Sequence, residues 1–377
     1  MSKDQFIDWG SDLSHLILNP KRPKSSSGRD LNISSLPHRA AHIWLASSGS
    51  TESLTLYALS KAAFLISAEA VNAHINATKK DIWLNVLPTF HVSGLSIYAR
   101  AFLLNTRVVD RANDIWRAES FHKWVKDEKA TLTSLVPTQV HDLVKLGTPA
   151  PKSLRAIFVG GAKLDDDLYL NARSLGFRLL PTYGMTECCS QIATATLESL
   201  NKDDIPSLKM LSHVDVKAMN GEYLAISSPA LFTAQAKWQN DQVSVLWWPC
   251  EWYVTADLGE VQKLEGEKGK IIIPHGRDRD EVKISGELVN LTELRVQLAK
   301  IAGTQFALFA QPDARRGFEI IVAFTASACV QASEWINEFN RIVLPVAKIR
   351  AAYFVDELPV SELGKIRIGD LKSKIGL

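Results

Sequence analysis

A strand-like run at residues 41–46 empties into Ser47-Ser48-Gly49-Ser50-Thr51, a loop of small residues rich in hydroxyls. Such a loop suits a polyphosphate, because backbone N–H groups and hydroxyls can close around phosphate oxygens without steric cost. A plain turn is the other reading. The Gly-Lys-Ser/Thr ending of a Walker loop is missing, so ordinary P-loop NTPase chemistry is not expected. Gly160-Gly161-Ala162 follows a second short apolar run, and would either bring backbone close to a ligand or simply turn a strand into a helix. Arg100 sits in the apolar segment 95–104. A buried cation there needs an anion, supplied by a protein Asp or Glu or by a second carboxylate on a ligand. Cys188, Cys189, Cys250 and Cys329 have no metal-ligand spacing, and the adjacency of the first two disfavours a structural disulfide.

The elements that must position these residues alternate. Strands are expected at 41–46 and 81–87, with an amphipathic segment at 60–75 between them and Pro88 as the stop. Helices at 118–126, 137–145 and 165–175 then interleave with strands at 132–136, 156–159 and 178–181, a pattern that predicts parallel α/β layers. From about residue 200 to 273 short strands and turns predict an antiparallel β subdomain. After Gly276 a helix at 291–301, strands at 305–310 and 319–325 and a helix at 333–341 predict a small α+β unit. Residues 1–40 read as an irregular segment. The expected organisation is therefore an N-terminal segment 1–40, a large domain 41–275 and a C-terminal domain 276–377, with a charged hinge at 278–280.

Length and composition agree with an enzyme of two or three folding units. The 377 residues are 46% hydrophobic, enough for a large core, and the net charge of +2 excludes the one-sided basic excess of a nucleic-acid binder. No run approaches the roughly 18 apolar residues of a membrane span, and Met1-Ser2-Lys3-Asp4-Gln5 lacks the apolar core of a secretory signal. A reduced cytoplasm is the expected compartment. An oligomer is possible.

Six segments together resemble the adenylate-forming superfamily of acyl-CoA synthetases, luciferases and peptide-synthetase adenylation domains, in that superfamily's order. They are the 47–51 loop, Pro88-Thr89-Phe90-His91-Val92-Ser93-Gly94, Tyr183-Gly184-Met185-Thr186-Glu187, Thr255-Ala256-Asp257-Leu258-Gly259, Gly276-Arg277 with Lys283-Ile284-Ser285-Gly286-Glu287, and Leu363-Gly364-Lys365-Ile366. The resemblance spans about residues 41–371. It implies the adenylate-forming fold, in which a large domain of α/β layers with a β subdomain carries a small mobile α+β lid. It also implies ATP, Mg2+ and CoA acting on a small carboxylic acid. Within the superfamily, Phe90-His91-Val92-Ser93-Gly94, Ser134-Leu135-Val136-Pro137-Thr138-Gln139 and Gly160-Gly161-Ala162 are most similar to the 2-succinylbenzoate–CoA ligases of menaquinone biosynthesis. A ligase for another aryl or fatty acid, or a non-catalytic nucleotide- or acyl-binding relative, are the alternatives.

The resemblance assigns roles residue by residue. Glu187 would hold Mg2+, Thr186 would donate to a phosphate oxygen, and Tyr183 would lie against adenine beside Gly184. Ser47, Ser48, Gly49, Ser50 and Thr51 would wrap the phosphates, and Gly160, Gly161 and Ala162 would approach the nucleotide. Asp257 would accept both ribose hydroxyls, with Arg277 in support. Lys365 would bridge the acid's carboxylate and the α-phosphate during adenylation. His91, Arg100, Thr138 and Met185 would border the acid, Arg279 would be the pivot, and the loop bearing Lys283 would enter for the thiol step. Two departures stand out. Glu52 and Thr55 occupy the places of the superfamily's Gly and Lys, removing a cation and adding a repulsive carboxylate near the triphosphate. The long N-terminal subdomain that usually precedes the phosphate loop is reduced to forty residues, which leaves a shortened ligase or an inactive relative.

Overall fold

The computed structural model describes residues 7–20, 31–37, 39–46, 54–161, 163–202, 204–219, 222–239, 242–248, 250–263, 269–277, 280–284, 287–313, 317–343, 345–362 and 364–377. The chain divides into two compact units, one of Met1–Thr255 with Glu260–Ile273 and one of Ala256–Gly259 with Pro274–Leu377.

The first unit opens with β1 (His15–Ile17), β2 (His42–Ala46) and β3 (Leu54–Ser60), followed by α1 (Lys61–His74). Alternation then runs through β4 (Ile82–Asn85), α2 (Val92–Leu104), β5 (Arg107–Asp110), α3 (Ala118–Glu128), β6 (Leu132–Leu135), α4 (Pro137–Leu146), β7 (Ala156–Val159), α5 (Asp166–Ser174) and β8 (Leu179–Met185). Strands β9 (Ser190–Thr194), β10 (Leu208–Met210), β11 (Asp215–Met219), β12 (Tyr223–Ser227), β13 (Ala234–Gln239), β14 (Gln242–Trp247), β15 (Tyr253–Lys263) and β16 (Lys270–Arg277) follow, with no α-helix between them among the described residues.

Strands β5, β4, β6, β7 and β8 are parallel neighbours in the order β8-β7-β6-β4-β5. The central strands β6 and β7 are buried throughout, as the helix-covered strands of a parallel sheet must be, whereas the edge strand β5 is partly exposed. Side chains alternate between two cores. Ile157, Val159 and Leu179 join Phe121, Val125, Val140 and Leu143 of α3 and α4, whereas Ala156, Phe158 and Leu180 join Val71, Ile97 and Ala101 of α1 and α2. Helix starts are locally encoded. The Ser60 hydroxyl accepts from Ala63 N–H at 3.0 Å to cap α1, Asp165 caps α5, and α4 begins on Pro137 and ends on Gly147 at φ +68°.

The expectation of an irregular start is corrected for its described residues. β1 pairs in parallel with β2, and Ile7 and Trp9 enter the core, Trp9 edge-on to Phe64 at 5.5 Å. Lys61 Nζ locks the segment down, donating to the carbonyls of Asp8 (2.6 Å) and Ser11 (2.9 Å). A strand at 54–60, unread in the sequence, pairs on either side with β2 and β13.

The second unit contains the hairpin β17 (Glu281–Ile284) and β18 (Glu287–Asn290), then α6 (Leu291–Ala302), β19 (Phe306–Asp313), β20 (Gly317–Thr325), α7 (Cys329–Ile342), β21 (Ile349–Val355) and α8 (Ile368–Lys374). β19, β20 and β21 form one sheet, antiparallel then parallel. Leu294 and Leu298 of α6 and Phe339 of α7 pack on one face, and Leu371 of α8 on the other.

Candidate functional site

The carboxyl ends of β4, β6, β7 and β8 and the segments that leave them carry His91, Thr138, Gly160, Gly161 and Tyr183–Glu187. That edge of a parallel sheet is where α/β folds bind ligands, because the loops converge there and helix N-termini point outward. After β4, Pro88 O accepts from His91 N–H at 3.1 Å, and His91 becomes the N-cap of α2 with its ring 4.6 Å from that of Phe90. Gly94 is required by packing, since a Cβ there would lie 2.4 Å from Pro88 O. After β6, Thr138 is the second residue of α4, whose start is closed by Gln139 Oε1 accepting from Val136 N–H at 3.1 Å. After β7, Gly160 N–H donates to Leu135 O and Gly161 takes φ +85°, where a Cβ would lie 3.4 Å from Val136 Cγ1.

The pentapeptide straddles the end of β8. Tyr183, Gly184 and Met185 finish the strand, and Thr186 and Glu187 begin a 3-10 turn, Thr186–Cys188. The strand runs beyond its predicted end at 181 because β9 folds back and pairs with it. That hairpin is tight. Cys189 and Ser190 both have positive φ (50° and 107°), and a Cβ on Gly184 would stand 1.9 Å from Ser190 O. Met185 is 8% exposed and belongs to the core, so its side chain packs inward. Thr186 and Glu187 are half-buried, at the same sheet end as Gly160 and Gly161.

The Glu187 carbonyl accepts from Phe232 N–H at 2.9 Å, and the Tyr57 phenol, edge-on to the Phe232 ring at 4.9 Å, lies near its carboxylate. Burial, then the nearby Glu187 charge, push the Tyr57 phenol far above its ordinary value. Burial likewise pushes the Cys188 thiol up to about 12, which leaves it an inert neighbour. Among the described residues no group of three or more His, Cys, Asp or Glu side chains could hold a metal. A single half-buried carboxylate fits Mg2+, which keeps waters and takes its remaining ligands from substrate phosphates.

Of the two anions expected for Arg100, no protein carboxylate stands beside it among the described residues. It is 1% exposed, its guanidinium carbon lies 5.5 and 5.3 Å from the ring centroids of Trp83 and Phe158, and Nη2 donates to Ser96 Oγ at 3.1 Å. Nε and Nη1 find no partner among the described residues. Two ring faces stand where a carboxylate was expected. Lys61, a potential substitute for the missing phosphate-loop lysine, is buried on the Asp8 and Ser11 carbonyls. Thr55 lies in β3 opposite Lys237.

Ser47, Ser48, Gly49, Ser50, Thr51, Glu52, Ala162 and Arg279 lie outside the described residues, as do the side chains of Arg277 and Lys283. Asp257, Arg277, Lys283 and Lys365 belong to the second unit. Asp257 is buried in β15. Lys365 is exposed at the end of a tight turn in which Gly364 takes φ +71° and Lys365 N–H donates to Ser361 Oγ at 3.2 Å. Just before β17, Asp280 receives Thr292 Oγ1 (3.0 Å) and Arg295 Nη1 (2.8 Å) from α6. A cavity of about 650 Å³ is bordered by His213, Val214, Phe232, Trp248 and Cys250, and none of the residues assigned a role by the resemblance lines it. Tyr57, Gln235 and Phe232 around Glu187 were missed, because only strand register brings them there.

Residues 43–230 match the AMP-binding enzyme family. The 2-succinylbenzoate–CoA ligase of Staphylococcus aureus strain Newman is 26% identical over 296 residues, covering 76% of this chain and 57% of the relative. That of strain JH9 is 38% identical over 140 residues, 37% of this chain and 28% of the relative. The chain thus spans little more than half the length of the first of these relatives. O-succinylbenzoate coenzyme A synthetase from Bacillus subtilis in complex with AMP superposes with a TM-score of 0.72 at 22% identity, covering 88% of this chain and 68% of that one. The same enzyme with ATP and magnesium gives 0.69 at 20% identity, covering 89% and 70%. At these identities the superpositions establish the fold, that of the adenylate-forming enzymes.

Proposed function

The chain belongs, through residues 43–230, to the AMP-binding enzymes, and from that premise we propose that it is an ATP-dependent acid–CoA ligase acting on 2-succinylbenzoate. The observation that carries the reading is the turn after β8, where the Gly184–Ser190 contact and the Phe232 N–H fix Thr186 and Glu187 beside the Gly160-Gly161 loop. The names of the relatives support the acid, as does the ATP–magnesium complex of the Bacillus enzyme the metal.

In the first half-reaction the acid's carboxylate oxygen attacks the α-phosphorus of ATP, giving acyl-adenylate and pyrophosphate. Mg2+ on Glu187 would neutralise charge on the phosphates, Thr186 would donate to a phosphate oxygen, and Tyr183 would face the adenine. Asp257 and Arg277 would take the ribose, and exposed Lys365 would meet the charge that builds at the α-phosphate. Residues 276–377 would then turn about 278–280 and bring the loop of Lys283 in place of Lys365. The CoA sulfur attacks the acyl carbon, the thioester forms and AMP leaves, with His91 and Thr138 bordering the acyl group. Arg100 takes no part in this scheme, since aromatic rings close over its guanidinium. We place the reaction in the cytoplasm; among the described residues no helix is long and apolar enough to cross a membrane.

A nucleotide-binding relative without turnover is the second reading, favoured by the engagement of Lys61 away from any phosphate. Pyrophosphate exchange into ATP, dependent on 2-succinylbenzoate, separates the two. Thioester formation followed by mass spectrometry over a panel of acids identifies the substrate. Folded protein that binds ATP but exchanges nothing with any acid overturns the ligase reading.

A further inference from the structure

Ser67 lies in the middle of α1, buried, and its hydroxyl donates to Cys189 O at 3.3 Å, across 122 residues of sequence. A serine in a helix interior more often turns its one proton back onto its own helix. Here the proton goes to a carbonyl that needs a partner, because Cys189 is buried and stands outside the β8–β9 register, in the return turn. Cys189 takes φ +50° and Ser190 φ +107°. Neither is glycine, so both hold a backbone that an L side chain disfavours, and such strain persists only where surrounding contacts over-determine it. The Ser67 hydroxyl is one of those contacts. The same turn carries Thr186 and Glu187, since Cys189 N–H donates to Thr186 O at 3.3 Å and Phe232 N–H to Glu187 O at 2.9 Å.

We infer that Ser67 is a positioning residue: by holding Cys189 O it keeps the strained 189–190 turn closed, and with it Thr186 and Glu187 in the geometry that receives a magnesium-bound nucleotide. The inference rests on the role proposed above for those two residues. Strain gives the turn a direction in which to relax, towards negative φ, and Thr186 is hydrogen-bonded to the residue that would move. Losing the Ser67 hydroxyl orphans a buried carbonyl and releases that relaxation. A site that keeps its competent form about a tenth of the time binds about tenfold more weakly. Glycine at 190 removes the drive to relax, because positive φ costs it nothing sterically. Changes at 67 and 190 are therefore coupled through the turn, although one lies in α1 and the other in β9.

The test uses the full chain, Mg2+ and the non-hydrolysable analogue α,β-methylene-ATP, with affinity read by calorimetry and stability by the melting midpoint. Ser67→Ala should weaken binding of the magnesium–analogue complex about tenfold. Ser67→Cys, whose S–H is a weak donor, should act in the same direction by less, and it serves as the test if the Ala variant does not fold. Ser190→Gly should raise the midpoint by about 2 °C, relief of positive φ outweighing the entropy that glycine adds to the unfolded chain. Added to Ser67→Ala, it should restore affinity to within about threefold of wild type, a recovery that a mere packing defect at 67 would not show. Glu187→Gln should weaken binding in its own right. Wild-type affinity in Ser67→Ala, a loss that Ser190→Gly does not restore, or a fall in the Ser190→Gly midpoint, alongside a loss in Glu187→Gln, overturns the inference and leaves the role of Glu187 standing. Wild-type affinity in Glu187→Gln, or no binding of the complex by the wild-type chain, overturns both.

Discussion

Replacing Arg100 by Met should stabilise the protein, whereas replacing it by Ala should not. Burial pushes the guanidinium down to about 9, a bias of roughly 5 kcal/mol against its charged form. Opposing this are the faces of Trp83 and Phe158, each about 1–2 kcal/mol when desolvated, and the bond to Ser96, about 1.5–3 kcal/mol. The balance is near zero, so a well-packed apolar side chain of similar volume should do better, by roughly 1–3 kcal/mol. Met keeps the volume and can set its sulfur on the same rings. Ser96 is not orphaned, since its hydroxyl also donates to Ser93 O at 3.2 Å. Ala removes the charge but leaves a cavity, at a cost of about 3 kcal/mol. Thermal and urea unfolding of wild type, Arg100→Met and Arg100→Ala read the outcome, about 2 °C per kcal/mol being expected for a unit of this size. A fall of several degrees in Arg100→Met would refute the reasoning, and would mean that an anion reaches the guanidinium after all. A parallel rise in KM for 2-succinylbenzoate would identify that anion as the substrate's second carboxylate.

Gly184→Ala puts a methyl 1.9 Å from Ser190 O; opening of the β8–β9 hairpin should cost roughly 3 kcal/mol or more in urea unfolding, and an unchanged midpoint would contradict the close approach. Burial pushes His213 down to about 4, and pushes His15, His42, His74 and His122 the same way. The unfolded chain then takes up protons first as pH falls, so stability present above about pH 6.5 should fade towards pH 4, by up to roughly 3 kcal/mol from His213 alone. His213→Leu should flatten that slope, and an equal slope would exclude His213 as its source. Asp81 is pushed up by burial, but Arg155 at 2.7 and 2.8 Å, with Thr78 and Thr131, outweighs that and holds the carboxyl below its ordinary range. Arg155→Leu should cost about 3 kcal/mol, measured against the double variant with Asp81→Asn to isolate the pair. Lys365→Ala should depress pyrophosphate exchange selectively while sparing thioester formation from supplied acyl-adenylate; equal losses in both would remove Lys365 from the adenylation step.

Much of the parallel sheet was legible in the residues, because each of its elements is specified locally. The all-buried runs at 132–135 and 156–159, the Ser60 and Asp165 caps and the Pro137 start mark strands and helices within a residue or two of where they lie. Less was legible at 54–60, where the order of a strand depends on partners at 42–46 and 234–239, and at 7–17, where isolated apolar residues become core only when Phe64 and the buried Lys61 amine receive them. The extension of β8 through Tyr183 was hidden for the same reason, its partner β9 being specified by a return turn at Cys189 and Ser190 that no residue type announces.

By itself the sequence determined the order of the motifs, and with it the resemblance to the adenylate-forming enzymes and the place of the carboxylate at 187. It also determined what is missing, a lysine and a glycine at 55 and 52. The tertiary structure decided which side chains surround those motifs. It gave Arg100 two aromatic faces instead of an anion, spent Lys61 on the N-terminal segment, turned Met185 into the core and set Tyr57 against Glu187. The physical reason is range. Turns, caps and alternation act over a few residues and are written where they act, whereas the company of a buried charge or a metal ligand comes from strand register and packing across a hundred residues or more.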